Sequence, residues 1–296
     1  MKLEILSIIF LFNLINISGQ NITYIYDKET NLPISYASIS YNDGGFYTNS
    51  NGSFNTNLIP DKTDTIKISI LGYKNLSIHR YEIPDTIFLQ PKVNKLNEVT
   101  IIDYKKEISI KPQKNILIDH QSWPLKNYNE LCTCLYPKKY ADARIDKIIF
   151  RFKHHKWSKN FTDNVRAILK FNVYEGSDTL FKNKIYQTKE FKIENKNVDL
   201  DVNFGKSDTY FSKEGVCIGI EMIGLSKDGF LLDKSSSVRP KLHKEESKYY
   251  DQKTYIKFVF NDTISAIPII DFINKGRMRN KPYKRRNLSL GLKLKY

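Results

Sequence analysis

Apolar and polar residues alternate in short runs along most of the chain, with a period of two residues. The clearest run places four apolar side chains on one face and their sequence neighbours on the other: Ala167, Leu169, Phe171 and Val173 against Ile168, Lys170, Asn172 and Tyr174. Successive residues of a β-strand point to opposite faces of a sheet, so this pattern indicates strands. Runs with the spacing of an amphipathic helix are hard to find. The pattern therefore predicts an all-β chain.

Seven alternating runs lie within the first hundred residues, separated by turn-forming residues. They are Ile22–Tyr26, Ile34–Tyr41, Phe46–Thr48, Ser53–Asn55, Thr65–Leu71, Asn75–His79 and Thr86–Leu89. Asn42–Gly45 and Asn51–Gly52 supply residues that tolerate a positive φ, which tight hairpins need. Seven short strands in about 80 residues predict a small β-sandwich.

A second set of seven runs begins at about residue 141. They are Ile145–Lys153, Val165–Tyr174, Ile185–Ile193, Val198–Phe204, Val216–Ile223, Tyr255–Phe260 and Leu288–Tyr296. Residues 102–140 mix lysine-rich segments with Pro112, Pro124 and Pro137, and proline interrupts both helices and strand ladders. We therefore predict two domains, residues 20–101 and 141–296, joined by a linker at 102–140.

Residues 1–19 have the features of a secretory signal peptide. Lys2 supplies a positive start, residues 5–17 form an apolar core too short to span a membrane, and Gly19 is a small residue after which a peptidase could cut. The mature chain is predicted to begin at or near Gln20. Its predicted location is the periplasm, the outer membrane surface or the extracellular space. A retained membrane anchor is a weaker interpretation.

Four segments of the first predicted sandwich, in order, resemble a known family. Tyr36–Ile39 resembles its second strand, Thr48 with Asn51–Phe54 its T-x-x-x-G-x-F hairpin, Ile70–Tyr73 its I-x-G-Y strand, and Leu96–Ile101 the L-x-E-V segment that follows it. The family is the carboxypeptidase regulatory-like domain, a transthyretin-like β-sandwich common in exported proteins of the Bacteroidetes. In metallocarboxypeptidases this module is an appendage to the catalytic domain, so the resemblance implies a fold and no catalytic residues.

The second half resembles the C-terminal domain that often follows this module in Bacteroidetes proteins of unassigned function. The resembling segments are Phe171–Glu175, Cys217–Ile223 and Leu290–Tyr296. This resemblance implies a jelly-roll-like sandwich and brings no established chemistry with it. The predicted fold is thus all-β, with an N-terminal transthyretin-like β-sandwich followed by a larger jelly-roll-like β-sandwich.

The formal net charge of +15 is unevenly distributed along the chain. From Phe272 to Tyr296 there are nine Lys or Arg residues and no acidic residue. A solvated face explains most of these charges, and contact with an envelope component, a lipopolysaccharide, a phospholipid or an acidic glycan comes next. Nucleic acid is disfavoured, because an exported protein rarely meets it. Membrane association is expected to be peripheral at most.

The chain has three cysteines, Cys132, Cys134 and Cys217, which are too few for a disulfide scaffold. Their odd number leaves at least one thiol unpaired within the chain. A direct bridge between Cys132 and Cys134 would be strained. A bridge from either of them to Cys217 stays open, and buried free thiols are the slightly preferred interpretation.

The sequence contains no recognisable catalytic or metal-binding constellation. The five histidines are scattered, and the adjacent His154 and His155 would point to opposite faces of a strand. Cys217 lies in an apolar run, which favours an inert thiol. Glu221 in the same run could be a buried acid, but a solvent-facing side chain is the default expectation. We therefore expect no catalytic residue, no metal and no cofactor.

Aromatic residues are abundant, with 19 Tyr and 17 Phe. Core packing explains most of them. A few are candidates for stacking on sugar rings: Trp123, Trp157, Tyr249, Tyr250 and Tyr255. The sequence predicts a non-enzymatic exported envelope or surface protein that acts by binding or assembly. The alternatives are a hydrolase with an unrecognised site in the second domain and a glycan-binding module. The sequence does not indicate which oligomeric state the protein adopts.

Overall fold

The chain is built almost entirely from β-strands. The structure, a computed structural model, describes residues 21–42, 44–92, 104, 106–113, 122–153, 165–175, 184–192, 198–204, 209–232, 237–260, 266–275 and 285–296. The all-β prediction is confirmed. The predicted leader, residues 1–19, and the segment Leu96–Ile101 lie outside the described residues. Within the described ranges, no helix combines the length and the apolar character needed to cross a membrane.

The first sandwich consists of two small sheets and two 3₁₀ turns, Thr56–Leu58 and Arg80–Glu82. Its strands are β1 (Ile22–Asp27), β2 (Ser38–Tyr41), β3 (Gly44–Tyr47), β4 (Ser53–Asn55), β5 (Thr65–Ser69), β6 (Leu76–His79) and β7 (Thr86–Leu89). One sheet has the order β4-β1-β7, with β1 antiparallel to β4 and parallel to β7. The other, β3-β2-β5-β6, is antiparallel. Alternate residues of β1 and β5 are buried, as predicted, and Ile25, Ile39 and Ile66 belong to the core.

The turn at Asn51–Gly52 requires glycine. Gly52 has a φ of +75°, and a Cβ at this position would lie 2.6 Å from the carbonyl oxygen of Ile25. We expect Gly52→Val to lower the free energy of unfolding by at least about 1 kcal/mol, measured by denaturant unfolding. Gly72→Val is the matched comparison, because Gly72 has a φ of +87° but open space around its Cβ, so this variant carries the strain of the positive φ without the clash and should destabilise the protein less. An unchanged midpoint for Gly52→Val would contradict this turn.

The second sandwich contains the remaining strands and one helix. They are β8 (Glu107–Ile110), β9 (Leu125–Lys126), β10 (Asn129–Pro137), β11 (Arg144–Phe152), β12 (Val165–Glu175), β13 (Lys184–Lys192), β14 (Val198–Asn203), β15 (Val216–Lys227), β16 (Phe230–Leu231), β17 (Ser237–Val238), β18 (Leu242–His243), β19 (Tyr250–Phe258), β20 (Ile267–Pro268), α1 (Ile269–Lys275), β21 (Asn287–Leu288) and β22 (Leu290–Lys295). The seven strands predicted for this half are present as β11 to β15, β19 and β22, with shifted ends.

Two antiparallel sheets form this sandwich. The large sheet has the order β13-β12-β15-β10-β19-β20, with β16 beside β15, and the smaller sheet has the order β14-β11-β22-β8. Residues from both sheets share one apolar core, in which the rings of Phe150 on β11 and Phe171 on β12 lie 4.8 Å apart. The short pairs β17-β9 and β18-β21 complete the fold.

The expectation of a linker at residues 102–140 is wrong for much of its described part. Strand β8 pairs with β22, and β10 lies in the large sheet between β15 and β19. Residues Glu130 to Leu135 of β10 are all buried. The prolines do not prevent this, since Pro112 and Pro124 lie outside strands and Pro137 ends β10, a position that tolerates proline.

The two sandwiches meet at an interface around Tyr47 of β3. Tyr47 is buried with Ile168 and Ile223 of the large sheet, and Tyr128 and Phe260 pack against them. The ring centroids of Tyr47 and Phe260 are 5.2 Å apart, and those of Tyr128 and Phe260 are 5.4 Å apart. Tyr128 also packs against the core of the first sandwich. The part of the chain predicted as a linker therefore contributes to both bodies.

Hydrogen bonds reinforce this interface at the turn between β15 and β16. The backbone N–H of Leu231 donates to Oδ1 of Asn49 at 2.8 Å. The hydroxyl of Ser50 donates to the carbonyl oxygen of Gly229, also at 2.8 Å. The loop before β4 is thus bonded to the second sandwich by both side-chain and backbone groups.

Candidate functional site

Four charged residues form a row across one face of the large sheet. The strand register pairs Lys170 of β12 with Glu221 of β15, Glu221 with Glu130 of β10, and Glu130 with Lys257 of β19. Cross-strand partners lie on the same face of a sheet. Glu221 is 0% exposed and Glu130 is 1% exposed. The expectation that Glu221 faces solvent is therefore wrong, because the first sandwich and the neighbouring strands cover this face.

The carboxylate of Glu221 is held by groups from both sandwiches. The hydroxyl of Tyr47, from β3 of the first sandwich, donates a hydrogen bond to its Oε1. Nζ of Lys170 lies 3.5 Å from the same oxygen and 4.4 Å from the centroid of the Tyr47 ring. Tyr47 therefore connects the first sandwich to a buried ion pair of the second.

The carboxylate of Glu130 has a parallel set of partners. The hydroxyl of Tyr174 donates to its Oε2 at 2.7 Å, and Nζ of Lys257 lies 3.1 Å from the same oxygen. Lys257 also lies 4.3 Å from the centroid of the Tyr174 ring. Burial raises the pKa of Tyr174 well above its usual value, and the nearby charge of Glu130 adds to this shift. Tyr174 therefore stays protonated and remains a donor.

Asn172 of β12 joins the two carboxylates. Its Nδ2 donates to Oε1 of Glu130 at 2.9 Å and to Oε2 of Glu221 at 3.1 Å. Gly219 lies beneath Glu130, and a Cβ at Gly219 would lie 2.8 Å from Cδ of Glu130 and closer still to Oε1. We name the whole arrangement the two-glutamate network: Tyr47, Glu130, Lys170, Asn172, Tyr174, Glu221 and Lys257. Two lysines balance its two carboxylates.

The two-glutamate network contains two carboxylates, which are groups that can act as general acids and bases, but both are shielded from solvent. Paired carboxylates are the machinery of glycoside hydrolysis. A catalytic carboxyl group must, however, come within hydrogen-bond reach of the substrate. Both carboxylates are buried, and each already binds a tyrosine hydroxyl and a lysine. In this arrangement the network fixes the position of Tyr47 and the contact between the sandwiches.

A cleft of about 680 Å³ lies on the first-sandwich side of this interface. Five aromatic residues line it: Tyr41, Phe46, Tyr47, Phe54 and Tyr128. Uncharged polar residues also line it: Asn49, Ser53, Asn55, Asn127 and Asn129. Clefts of this size at domain interfaces are common sites for small ligands. The cleft and the two-glutamate network share Tyr47.

The cleft walls are nearly free of charge. Among the described residues that line it, Lys126 alone carries a charge. Burial raises the pKa of Tyr41, which keeps its hydroxyl neutral and able both to donate and to accept. Asparagine amides have the same double capacity. The walls thus combine apolar ring faces with groups that match neutral hydroxyls.

Of the aromatic residues predicted to stack on a ligand, none of those described lines this cleft. Trp123 lies edge-on to Phe272, with ring centroids 5.4 Å apart. Tyr249 is half-buried, with its ring 6.1 Å from that of Tyr140, and Tyr255 packs beside the cysteines. Trp157 lies outside the described residues. A stacking role for Trp123 and Tyr249 stays a prediction.

Tyr250 cannot offer a ring face to an external ligand, because it is only 1% exposed. Its hydroxyl accepts a hydrogen bond from Nε2 of Gln113 at 2.9 Å, and burial raises its pKa to about 12. Tyr250 is a core residue of the second sandwich. The sequence alone could not show which of the two adjacent tyrosines is buried. Tyr249 and Tyr250 have the same side chain, and successive residues point to opposite sides.

Two of the three cysteines form a disulfide, Cys134 with Cys217. The preference for free thiols is therefore wrong for this pair, and the register explains why, since Cys134 lies directly opposite Cys217. Cys132 lies outside this disulfide and is buried. We expect alkylation of the unfolded, unreduced protein to label one cysteine, identified as Cys132 by peptide mass mapping. Labelling of Cys134 or Cys217 instead would contradict this pairing.

No metal site is evident within the described ranges, where no group of three or more His, Cys, Asp or Glu is placed to hold an ion. His154 and His155 lie outside those ranges. His243 is buried, and its Nε2 lies 3.0 Å from Oε1 of Gln252. Burial lowers the pKa of His243, which makes it a neutral member of the core.

Comparison with solved structures gives low similarity over most of the chain. A structure of the cysteine protease and lectin-like domains of Cwp84, a surface layer associated protein of Clostridium difficile, aligns with a TM-score of 0.37 and 8% identity over 93% of this chain. This chain spans 63% of the length of that one. A second structure, of a variant of the clostridial cysteine protease Cwp84 after propeptide cleavage, aligns with a TM-score of 0.36 and 8% identity over 93% of this chain and 70% of that chain.

Comparison by sequence identifies the first sandwich. Among curated proteins, none matches the chain. Residues 18–101 match the family described as the CarboxypepD_reg-like domain. The match covers the strands β1 to β7 and agrees with the resemblance found in the motifs around Thr48 and Ile70. Residues 18–101 are therefore similar to a carboxypeptidase regulatory-like domain.

Proposed function

We propose that this protein is a non-enzymatic, exported binding protein of the cell envelope or surface, which holds a neutral glycan in the cleft between its two sandwiches. The observation that carries the proposal is the lining of the cleft of about 680 Å³, where the partly exposed rings of Tyr41 and Tyr128 lie among five uncharged polar residues, while Phe46, Tyr47 and Phe54 are buried in its walls. A sugar ring has apolar C–H faces and hydroxyls that both donate and accept. Tyrosine and asparagine side chains match both features.

Other ligand classes fit the cleft less well. A lipid chain has no group that could form hydrogen bonds with the polar side chains of the lining, Asn49, Ser53, Asn55, Asn127 and Asn129. A strongly charged ligand would find only Lys126 as a charged partner in the described lining. A neutral saccharide of one to a few rings is the class that satisfies both the rings and the amides.

A hydrolase is the second candidate, and one observation favours it. Glu130 and Glu221 are adjacent carboxylates that share the amide of Asn172, and Tyr47 separates them from the cleft. For hydrolysis, Tyr47 would have to move away and expose Glu221 to the bound sugar. The buried contacts of both carboxylates argue against this reaction, so binding without cleavage is the better-supported function.

The test is a glycan screen with the purified mature chain, followed by calorimetric titration of the tightest saccharide. We expect Tyr41→Ala to weaken binding about tenfold, because a ring that covers a sugar face contributes roughly 1 kcal/mol or more. Lys126→Ala, on the exposed rim, should have a smaller effect. Tyr81→Ala is the matched control, since Tyr81 is 84% exposed in the same sandwich and lies outside the cleft lining.

Two outcomes would contradict the proposal. One is an affinity that Tyr41→Ala and Tyr81→Ala change equally, with unfolding midpoints showing that both variants are folded. The other is cleavage of the saccharide, followed by mass spectrometry, that disappears in Glu221→Gln under conditions where circular dichroism shows this variant to be folded. The second outcome would establish the hydrolase instead.

A further inference from the structure

Four cations face one another at the end of β11. The chain makes an isolated antiparallel bridge at Phe152, where the N–H of Lys153 donates to the carbonyl of Arg239 at 2.8 Å. The N–H of Lys241 donates to the carbonyl of Arg151 at 2.7 Å. These two bonds place Lys153 opposite Arg239, and Arg151 opposite Lys241. All four side chains lie on one face, because cross-strand partners and residues two apart share a face.

Little negative charge compensates this four-cation cluster of Arg151, Lys153, Arg239 and Lys241. In the described part of the chain, Asp199 is the one acid that forms an ion pair with any of them, through two hydrogen bonds of 2.7 Å to Arg151. Like charges placed directly opposite each other destabilise a sheet. Burial lowers the pKa of Lys241, the charges of Arg151 and Lys153 lower it further, and the charge of Asp199 partly offsets them. The face thus retains excess positive charge at a cost in stability.

We propose that the four-cation cluster is a binding site for a phosphate group. Guanidinium and ammonium groups are the side chains that bind phosphate most strongly, the first through paired donors and the second as a point charge. All four side chains are partly exposed. A bound group with about two negative charges at neutral pH would remove the repulsion between the two opposed pairs. Arg239 also has a nearby hydroxyl, with Nη1 at 3.4 Å from Oγ of Ser122.

Two kinds of ligand carry such a phosphate group: a soluble phosphate compound and the headgroup of a membrane lipid. The site is separate from the glycan cleft, since none of its four side chains lines that cleft. The phosphate site is therefore tested independently of the proposed glycan binding.

The first experiment titrates inorganic pyrophosphate into the purified mature chain at low ionic strength. We expect Lys241→Gln to weaken pyrophosphate binding about tenfold, as loss of a charge-assisted hydrogen bond would. Lys147→Gln is the matched control, because it removes the same charge from β11 outside the cluster. Lys147 already pairs with Asp201, with Nζ 2.7 Å from Oδ2. The control should bind like the wild type. Equal affinities for Lys241→Gln and wild type would overturn the proposal.

Thermal unfolding distinguishes a binding site from a structural lysine. Without phosphate, Lys241→Gln should raise the unfolding midpoint, because it relieves the repulsion from Arg151. With pyrophosphate, the wild type should gain more than the variant, because ligand binding to the folded state stabilises it. A lower midpoint for Lys241→Gln without phosphate, and no gain for the wild type with it, would overturn the proposal.

Vesicle sedimentation separates the two sources. Binding to phosphatidylcholine vesicles that contain phosphatidic acid, but not to phosphatidylcholine alone, would assign the site to a lipid headgroup. Binding of pyrophosphate without binding to either vesicle would assign it to a soluble compound. Absence of binding to pyrophosphate and to both vesicles would refute the site.

Discussion

Glu221→Gln should lower the free energy of unfolding by about 3–5 kcal/mol, because removing one member of a buried ion pair leaves its partner buried without compensation. The partner is Lys170, whose side chain is 7% exposed. The substitution also weakens the acceptor for Tyr47, and with it the contact between the sandwiches. Urea unfolding of the disulfide-intact protein, followed by circular dichroism, measures the change.

Two further variants decide whether burial of the ion pair causes this loss. Glu214→Gln makes the same chemical change at an exposed site just before β15, and we expect it to alter stability by less than about 0.5 kcal/mol. Replacing both partners, as Lys170→Met with Glu221→Leu, should recover much of the stability, because apolar residues of similar size often replace a buried ion pair without loss. A double variant that costs as much as the sum of its single variants would contradict the coupling.

The strands of this protein could be predicted where one face of a strand is apolar and the other is polar. In β12 the alternation of Phe171 and Val173 with the polar residues around them gave the correct element. Strand β10 was missed because it is central in its sheet and buried on both sides, so that Glu130 to Leu135 show no alternation. The prolines around it suggested a linker, although Pro137 only ends the strand.

The two-glutamate network could not be predicted, because its members are brought together by strand order and not by sequence spacing. Glu130 and Glu221 become neighbours only when β10 lies beside β15. In β12, Lys170 and Asn172 have the phase of a solvent-facing row, and only the packing of Tyr47 and the adjacent strands buries them. A signal was nevertheless present, since Glu221 interrupts a run of otherwise apolar residues and glycines from Val216 to Ile223.

Gly219→Ala should lower the free energy of unfolding by about 2–4 kcal/mol, because the carboxylate of Glu130 occupies the space that the added Cβ needs. Cδ of Glu130 would lie 2.8 Å from that Cβ. The carboxylate must therefore move away from Asn172 and Tyr174, which donate to it at 2.9 and 2.7 Å. Urea unfolding measures the loss.

Gly224→Ala is the matched control on the same strand. The nearest atom to a Cβ at Gly224 lies 3.5 Å away, at ordinary contact distance, so we expect a change within about 0.5 kcal/mol. Combining Gly219→Ala with Glu130→Ala should cost little more than Glu130→Ala alone, since the clash is then absent. Fully additive losses would show that Gly219 is required for some other reason.

The interdomain cleft is proposed to bind a glycan without cleaving it. The most direct measurement is a crystal structure of the mature chain with the saccharide that binds most tightly in the screen. We predict an intact saccharide in the cleft, with a sugar face against Tyr41 or Tyr128 and hydroxyls bonded to the asparagines, while Glu130 and Glu221 remain covered by Tyr47. A saccharide bound on another surface, or a cleaved one beside an uncovered Glu221, would contradict the account.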